Sequence, residues 1–301
     1  MRRRSVLAVS ALFLALVGCR RAASGGAAAS DGVSGQALVE QGRFDEAIAR
    51  VADGTDPDSL YVLGRAWAGK ARVAALPTPA PGVAVPAEGL FKPEELTALG
   101  FLERAAQARP DHAATQLALA ELLAPHALAR TAVERDRHRT PVSAPSSGPD
   151  ASPERVLRCY GDALQADPAG TAAGEALIRF AVAAGRLTEA DAAFQELLRR
   201  KREDPELLVR YGDFLAGPRG APDAALARYA QALIWRADDA TTRAKMVDIQ
   251  LRFAEAHLSA REYTSAEARL AEARRIGFAA GSPQAQHMRQ LEEALAEVRG
   301  R

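Results

Sequence analysis

Asparagine is absent from this chain, and lysine occurs only at Lys70, Lys92, Lys201 and Lys245, so nearly all of the positive charge is arginine. Codon bias accounts for that skew, and no function is read from it. Cysteine occurs twice, at Cys19 and Cys159, with no CxxC pair, which excludes a disulfide framework and a thiolate zinc site. His112, His126, His138, His257 and His287 are scattered. None has the i, i+4 spacing of HExxH, which sets two imidazoles on one helix face, so no metal ligand is nominated. Nothing resembles a nucleophile elbow either. Carboxylates at helix junctions, such as Asp111, Asp167 and Asp204, read as helix caps, and no catalytic residue or cofactor is assigned. An excess of one charge is also missing, with 39 basic against 38 acidic residues. Nucleic-acid binding rests on clustered cations that neutralise phosphates, so it is not expected. Aromatics make up 5% of the chain and hydrophobic residues 48%, the balance of an alanine-rich helical protein whose contacts are small side chains.

Met1-Arg2-Arg3-Arg4 and the apolar run 5–17 form the basic and hydrophobic regions of an export signal. The run is too short to span a bilayer, which takes about 20 residues. It ends in Leu16-Val17-Gly18-Cys19, which resembles a bacterial lipobox. That resemblance implies a signal peptide over 1–18, cleavage after Gly18 and acylation of Cys19. Two or three acyl chains anchor a protein durably, because each buried methylene contributes roughly 0.8 kcal/mol. Arg20 stands where enteric-type lipoproteins retained at the inner membrane carry aspartate, so the resemblance points to the outer membrane, facing the periplasm. Residues 19–35, rich in Ala, Ser and Gly, read as a flexible tether. Cys159, among Val156, Leu157 and Tyr160, reads as a small buried residue.

From residue 36 to 301 the apolar spacing repeats. Leu208, Tyr211 and Leu215 share one helix face, with Gly212 beside them; Ala225, Tyr229 and Ala232 mark a second helix after Gly217-Pro218-Arg219-Gly220. A helical glycine costs roughly 1 kcal/mol against alanine, so Gly212 implies a neighbouring helix packed close. Leu60, Leu63, Gly64 and Trp67 repeat the first half of this unit, and Ala190, Phe194 and Leu197 the second. These spacings resemble the tetratricopeptide repeat family, whose unit is a helix-turn-helix of about 34 residues. The resemblance implies an all-α, right-handed superhelix of about five to six repeats. Glu292, Glu293 and Glu297 alternate with Leu291, Leu295 and Val298, as in a C-terminal capping helix with one wet face. Two units are over-long and place insertions near 75–92 and 125–152, the first interrupted by Pro77, Pro79, Pro81 and Pro86.

Gly64 to Ala71 nearly spells a phosphate-binding loop, but Ala71 lacks the hydroxyl that reaches magnesium, and the stretch lies within a helix. What remains is surface. In the family the first helices line a groove that receives peptides or helices, and this register turns Tyr61, Arg65, Glu175, Arg179, Val209 and Asp213 toward it. Arginine there can hold partner carboxylates bidentately. The chaperone-tail class grips a terminal carboxylate with paired Lys and Asn, and a chain without asparagine lacks that clamp. The resemblance thus implies a non-enzymatic, lipid-anchored envelope scaffold that binds proteins, of the kind serving outer-membrane protein, pilus secretin or polysaccharide-export assembly. The alternative reading is an enzyme or ligand-binding protein whose site is built from the two insertions.

Overall fold

The computed structural model describes residues 34–74, 91–137 and 148–299. Within them thirteen helices follow one another without a strand, twelve of them paired as hairpins. The pairs are α1 (Gly35–Glu40) with α2 (Phe44–Val51), α3 (Pro57–Val73) with α4 (Pro93–Ala108), and α5 (Ala113–Arg137) with α6 (Pro153–Ala166). They continue with α7 (Ala172–Ala183) and α8 (Leu187–Arg200), α9 (Pro205–Ala216) and α10 (Pro222–Trp235), and α11 (Ala240–Ser259) and α12 (Tyr263–Ile276). The last helix, α13 (Pro283–Arg299), packs on α11 and α12 and closes the array. This is the all-α succession of six helix hairpins and a capping helix that the repeat spacing predicts. The expected signal peptide, Cys19 and most of the expected tether lie outside the described residues, as do 75–90 and 138–147.

Local sequence explains where these helices begin and turn. Asp56 and Asp204 precede the prolines that open α3 and α9, and each accepts backbone N–H groups of its helix's first turn. Ser152 and Asp239 cap α6 and α11 in the same way. Such caps satisfy donors that have no partner inside the helix. Asp167 differs from the expected cap, since its carboxylate accepts the Gly170 N–H in the turn ahead of α7. At the short turns α1–α2 and α7–α8 the chain reverses through Gly42 and Gly185, both at φ 74°. The residue after each glycine donates its N–H to a carbonyl five positions back, Arg43 to Leu38 and Arg186 to Ala181. Left-handed φ favours a residue without Cβ. Arg261 occupies the corresponding place between α11 and α12, at φ 60°.

The core is an elongated band through the first five hairpins, followed by a second cluster at the C-terminal end. Ala47, Ala98, Ala190, Ala225 and Ala266 on the second helices are completely buried, with Val156 filling the same role in α6. A methyl at those places lets first and second helices approach closely. Larger side chains complete the core: Leu102, Leu123, Leu197 and Leu251 are all fully buried, each contributing roughly 1.5–3 kcal/mol relative to exposure. Val247, Leu251, Leu270, Met288, Leu291 and Leu295 form a separate cluster that seats α13. Helix α5 runs through Pro125 to Arg137, so the first half of the stretch 125–152 is helix. A proline inside a helix costs about 3 kcal/mol, and burial of Leu122, Leu123 and Ala127 on either side offsets it.

Candidate functional site

The first helices present a stripe of polar side chains, linked by ion pairs between α3 and α5, α7 and α9, and α9 and α11, and by a hydrogen bond between α11 and α13. Arg72 of α3 lies 4.0 Å from Glu121 of α5. Glu175 of α7 lies 3.6 Å from Arg210 of α9. Asp213 of α9 accepts from Lys245 Nζ of α11 at 2.7 Å on both oxygens, and Asp248 of α11 accepts from Gln284 of α13 at 3.0 Å. Exposed pairs of this kind contribute up to about 1 kcal/mol each. Their chemical meaning is different: a stripe of alternating sign can exchange internal pairs for pairs with a partner at little net cost.

The residues nominated from sequence behave unequally. Arg65 is half-buried and donates from Nη1 to the Tyr61 hydroxyl at 2.9 Å. Tyr61 itself departs from the expectation, for it is buried, with its ring edge-on to His112 at 5.4 Å. It is a core residue that steadies Arg65 and offers the groove no free surface. Val209 is partly buried against the core. Glu175 and Asp213 lie on the stripe but are engaged in the pairs above, and Asp213 Oδ1 also accepts the Tyr229 hydroxyl at 2.7 Å. Burial, and then that carboxylate, push the Tyr229 pKa far up, so the hydroxyl stays a donor. Arg179 is exposed and has no ion pair among the described residues.

Arg72, Glu121, Arg210 and Lys245 were not nominated, although Arg72 follows Arg65 by two helical turns and Arg210 precedes Asp213 by three residues. Spacing along one helix face would have found those two. Glu121 and Lys245 become visible only once neighbouring first helices are laid side by side. Between α1, α3 and α5 the stripe deepens into a recess of about 270 Å³, bordered by Val39, Arg65, Ala68, Arg72, Glu121 and Leu122. Its apolar floor and two guanidiniums suit an amphipathic segment better than a small polar molecule. Glu121 also acts on the core beneath: Tyr160 is pushed up to about 12, first by burial and then by that negative charge. The phosphate-loop look-alike, Gly64 to Ala71, lies inside α3. Among the described residues no group of His, Cys, Asp or Glu could hold a metal ion, and no helix is long and apolar enough to cross a membrane.

The geometry defines a class, an array of helix hairpins with a lateral face open to other molecules. No protein-family model and no curated protein matches the chain. Among solved structures it is similar to MamA (41-end) from Desulfovibrio magneticus RS-1, at 14% identity over 68% of this chain and 93% of that one, with a TM-score of 0.41. It is similar to TTC0263, a thermophilic TPR protein in Thermus thermophilus, at 20% identity over 72% and 95%, with a TM-score of 0.37. A third is Pseudomonas aeruginosa PilF, at 14% identity over 85% and 93%, with a TM-score of 0.40. These are likenesses of fold.

Proposed function

We propose that this chain is a lipid-anchored envelope protein that holds other proteins on the stripe of its first helices, as a scaffold without catalysis of its own. One observation carries the reading: the stripe runs from α3 to α13 with charges of both signs and opens into an apolar recess at Arg65 and Arg72. A partner segment with carboxylates would replace Glu121 at Arg72 and engage the free guanidinium of Arg179. The anchoring half of the proposal rests on Leu16-Val17-Gly18-Cys19 and has the array stand at the periplasmic side of the outer membrane, in outer-membrane protein, pilus secretin or polysaccharide-export assembly.

In-cell photocrosslinking from position 179 tests the scaffold. Adducts with defined envelope proteins are expected, and they should weaken when Arg65→Glu and Arg72→Glu are combined. Adducts no stronger than those from the exposed position 189 on α8 would overturn it. Metabolic labelling with an alkynyl fatty acid tests the anchor, because label that persists in Cys19→Ala refutes acylation there.

A second reading, a ligand site at the insertions, draws on a cavity of about 420 Å³ lined by Arg130, Thr131, Ser152, Glu154 and Arg186, of which the first three belong to the stretch 125–152. Deleting 138–147 leaves the Ser152 cap of α6 in place. Loss of a ligand signal with unchanged helicity would favour this reading over the scaffold.

A further inference from the structure

The side formed by the second helices carries a feature that the stripe does not explain. Ile234 and Trp235, at the end of α10, are 75% and 51% exposed. They border a notch of about 300 Å³ whose floor is Leu198 of α8 and Leu208 of α9, and whose remaining wall is Arg202, Arg228 and Gln231. Two large apolar side chains left adjacent and open mark a surface shaped for contact, since single exposed hydrophobics are ordinary and contiguous ones are not. Both charged groups of the lining are arginines. Arg202 has no ion pair among the described residues, and Arg228 donates from Nη1 to Gln231 Oε1 at 2.9 Å while its buried Nε has no acceptor. The Arg228 guanidinium stands 5.2 Å from the Tyr211 ring, which holds it in place.

Three carboxylates of α8 and α9 are already committed. Glu196 accepts from Arg199 and Arg200, Glu206 from Arg236, and Asp191 from the Tyr211 hydroxyl. The notch therefore has an apolar floor, an aromatic rim and two cations that form no ion pair among the described residues. We propose that it is a second docking surface, which takes a protein segment carrying a large apolar side chain next to a carboxylate. The apolar side chain would fill the space over Leu198 and Leu208 beside Trp235, and the carboxylate would accept from Arg228 and Arg202. A cavity of this size with an apolar floor fits one or two side chains, whereas a lipid surface would meet protruding charges and leave the floor unfilled. Its lining comes mainly from α10 and shares no residue with the recess at Arg65 and Arg72, so the two can be occupied independently.

The test is selection of a displayed library of twelve-residue peptides on the purified full chain, with counter-selection against Trp235→Ala. Peptides that depend on Trp235 should be enriched in a large apolar residue flanked by Asp or Glu. Their affinity should fall about 30-fold or more on Trp235→Ala, as for a buried aromatic anchor, and about tenfold or more on Arg228→Gln. It should be unchanged by Arg65→Glu. Circular dichroism melting of each variant separates loss of binding from loss of fold, and Ile234→Ser supplies a second surface variant. Enrichment of basic or uncharged peptides, or the absence of any Trp235-dependent peptide, overturns the proposal. So does concentration-dependent self-association that Ile234→Ser abolishes, which would make a second copy the occupant. Binding to anionic vesicles that shifts Trp235 emission would assign the notch to a lipid surface and overturn it equally.

Discussion

Gly212 is where the packing of a hairpin can be put to a quantitative trial. A Cβ added there would stand 2.4 Å from Cε1, 2.7 Å from Cδ1 and 2.9 Å from Cζ of Tyr229. Carbon atoms rest at roughly 3.5–4.0 Å, so something must move. The Tyr229 ring has little room, being 2% exposed, with its hydroxyl bonded to Asp213. Overpacking a well-filled core costs about 1–3 kcal/mol, and a rigid ring puts this site in the upper half of that range. Alanine in place of a helical glycine returns about 1 kcal/mol. Gly212→Ala should therefore lose about 1–2 kcal/mol, read as a lower urea midpoint by far-ultraviolet circular dichroism at unchanged slope. Tyr229→Leu removes the ring. In that background Gly212→Ala should cost nothing or stabilise, and the difference between the two backgrounds isolates the contact. A gain of about 1 kcal/mol from Gly212→Ala in the natural background would refute the reasoning. The same joint recurs where Gly64 meets Leu102 and Gly174 meets Leu197.

Gly100 in α4 has nothing within 4 Å of an added Cβ, so Gly100→Ala should raise the urea midpoint by the equivalent of about 1 kcal/mol; a loss there would deny that surroundings decide these substitutions. His126, stacked on Phe91 at 3.8 Å, is held below the ordinary 6.5 by burial, with Glu95 at 3.3 Å opposing the shift. The unfolded chain then takes up the proton first, and stability should decline as pH falls below about 6.5 until the folded value is passed. His126→Gln should flatten that part of the urea-midpoint profile, and a native protein that gains stability through His126 on acidification would contradict the sign. Burial pushes the Cys159 thiol up. In a Cys19→Ala chain it should react with a disulfide reagent far more slowly than free cysteine at pH 8 and match it only in denaturant, and fast labelling of that folded chain would show that it is accessible.

The repeat was legible in the sequence because it is written in local terms. The spacing of Leu208, Tyr211 and Leu215 gives a helix face, Asp204 ahead of Pro205 gives a start, and Gly217-Pro218-Arg219-Gly220 gives a turn. Each depends on residues a few positions apart, and that is the range over which helix geometry acts. Alanine recurring on second helices likewise announced close packing, and the structure buries those methyls completely. The glycine contacts follow from the same register, though only the tertiary packing shows which ring or methyl group each one meets.

The candidate site was less legible, since its parts come from separate hairpins. Tyr61 has the spacing of a groove residue, yet His112 and Arg65 enclose it. Asp213 looks free along α9, yet Lys245 and Tyr229 hold it from two other helices. The notch at Trp235 needs α8, α9 and α10 together. The amino-acid sequence by itself thus determined helices, turns and their pairing, all set by neighbours along the chain. Which charges are spent internally, which arginines stay free and where apolar surface remains open were decided only by the tertiary structure, because those depend on the distance and rotation between hairpins.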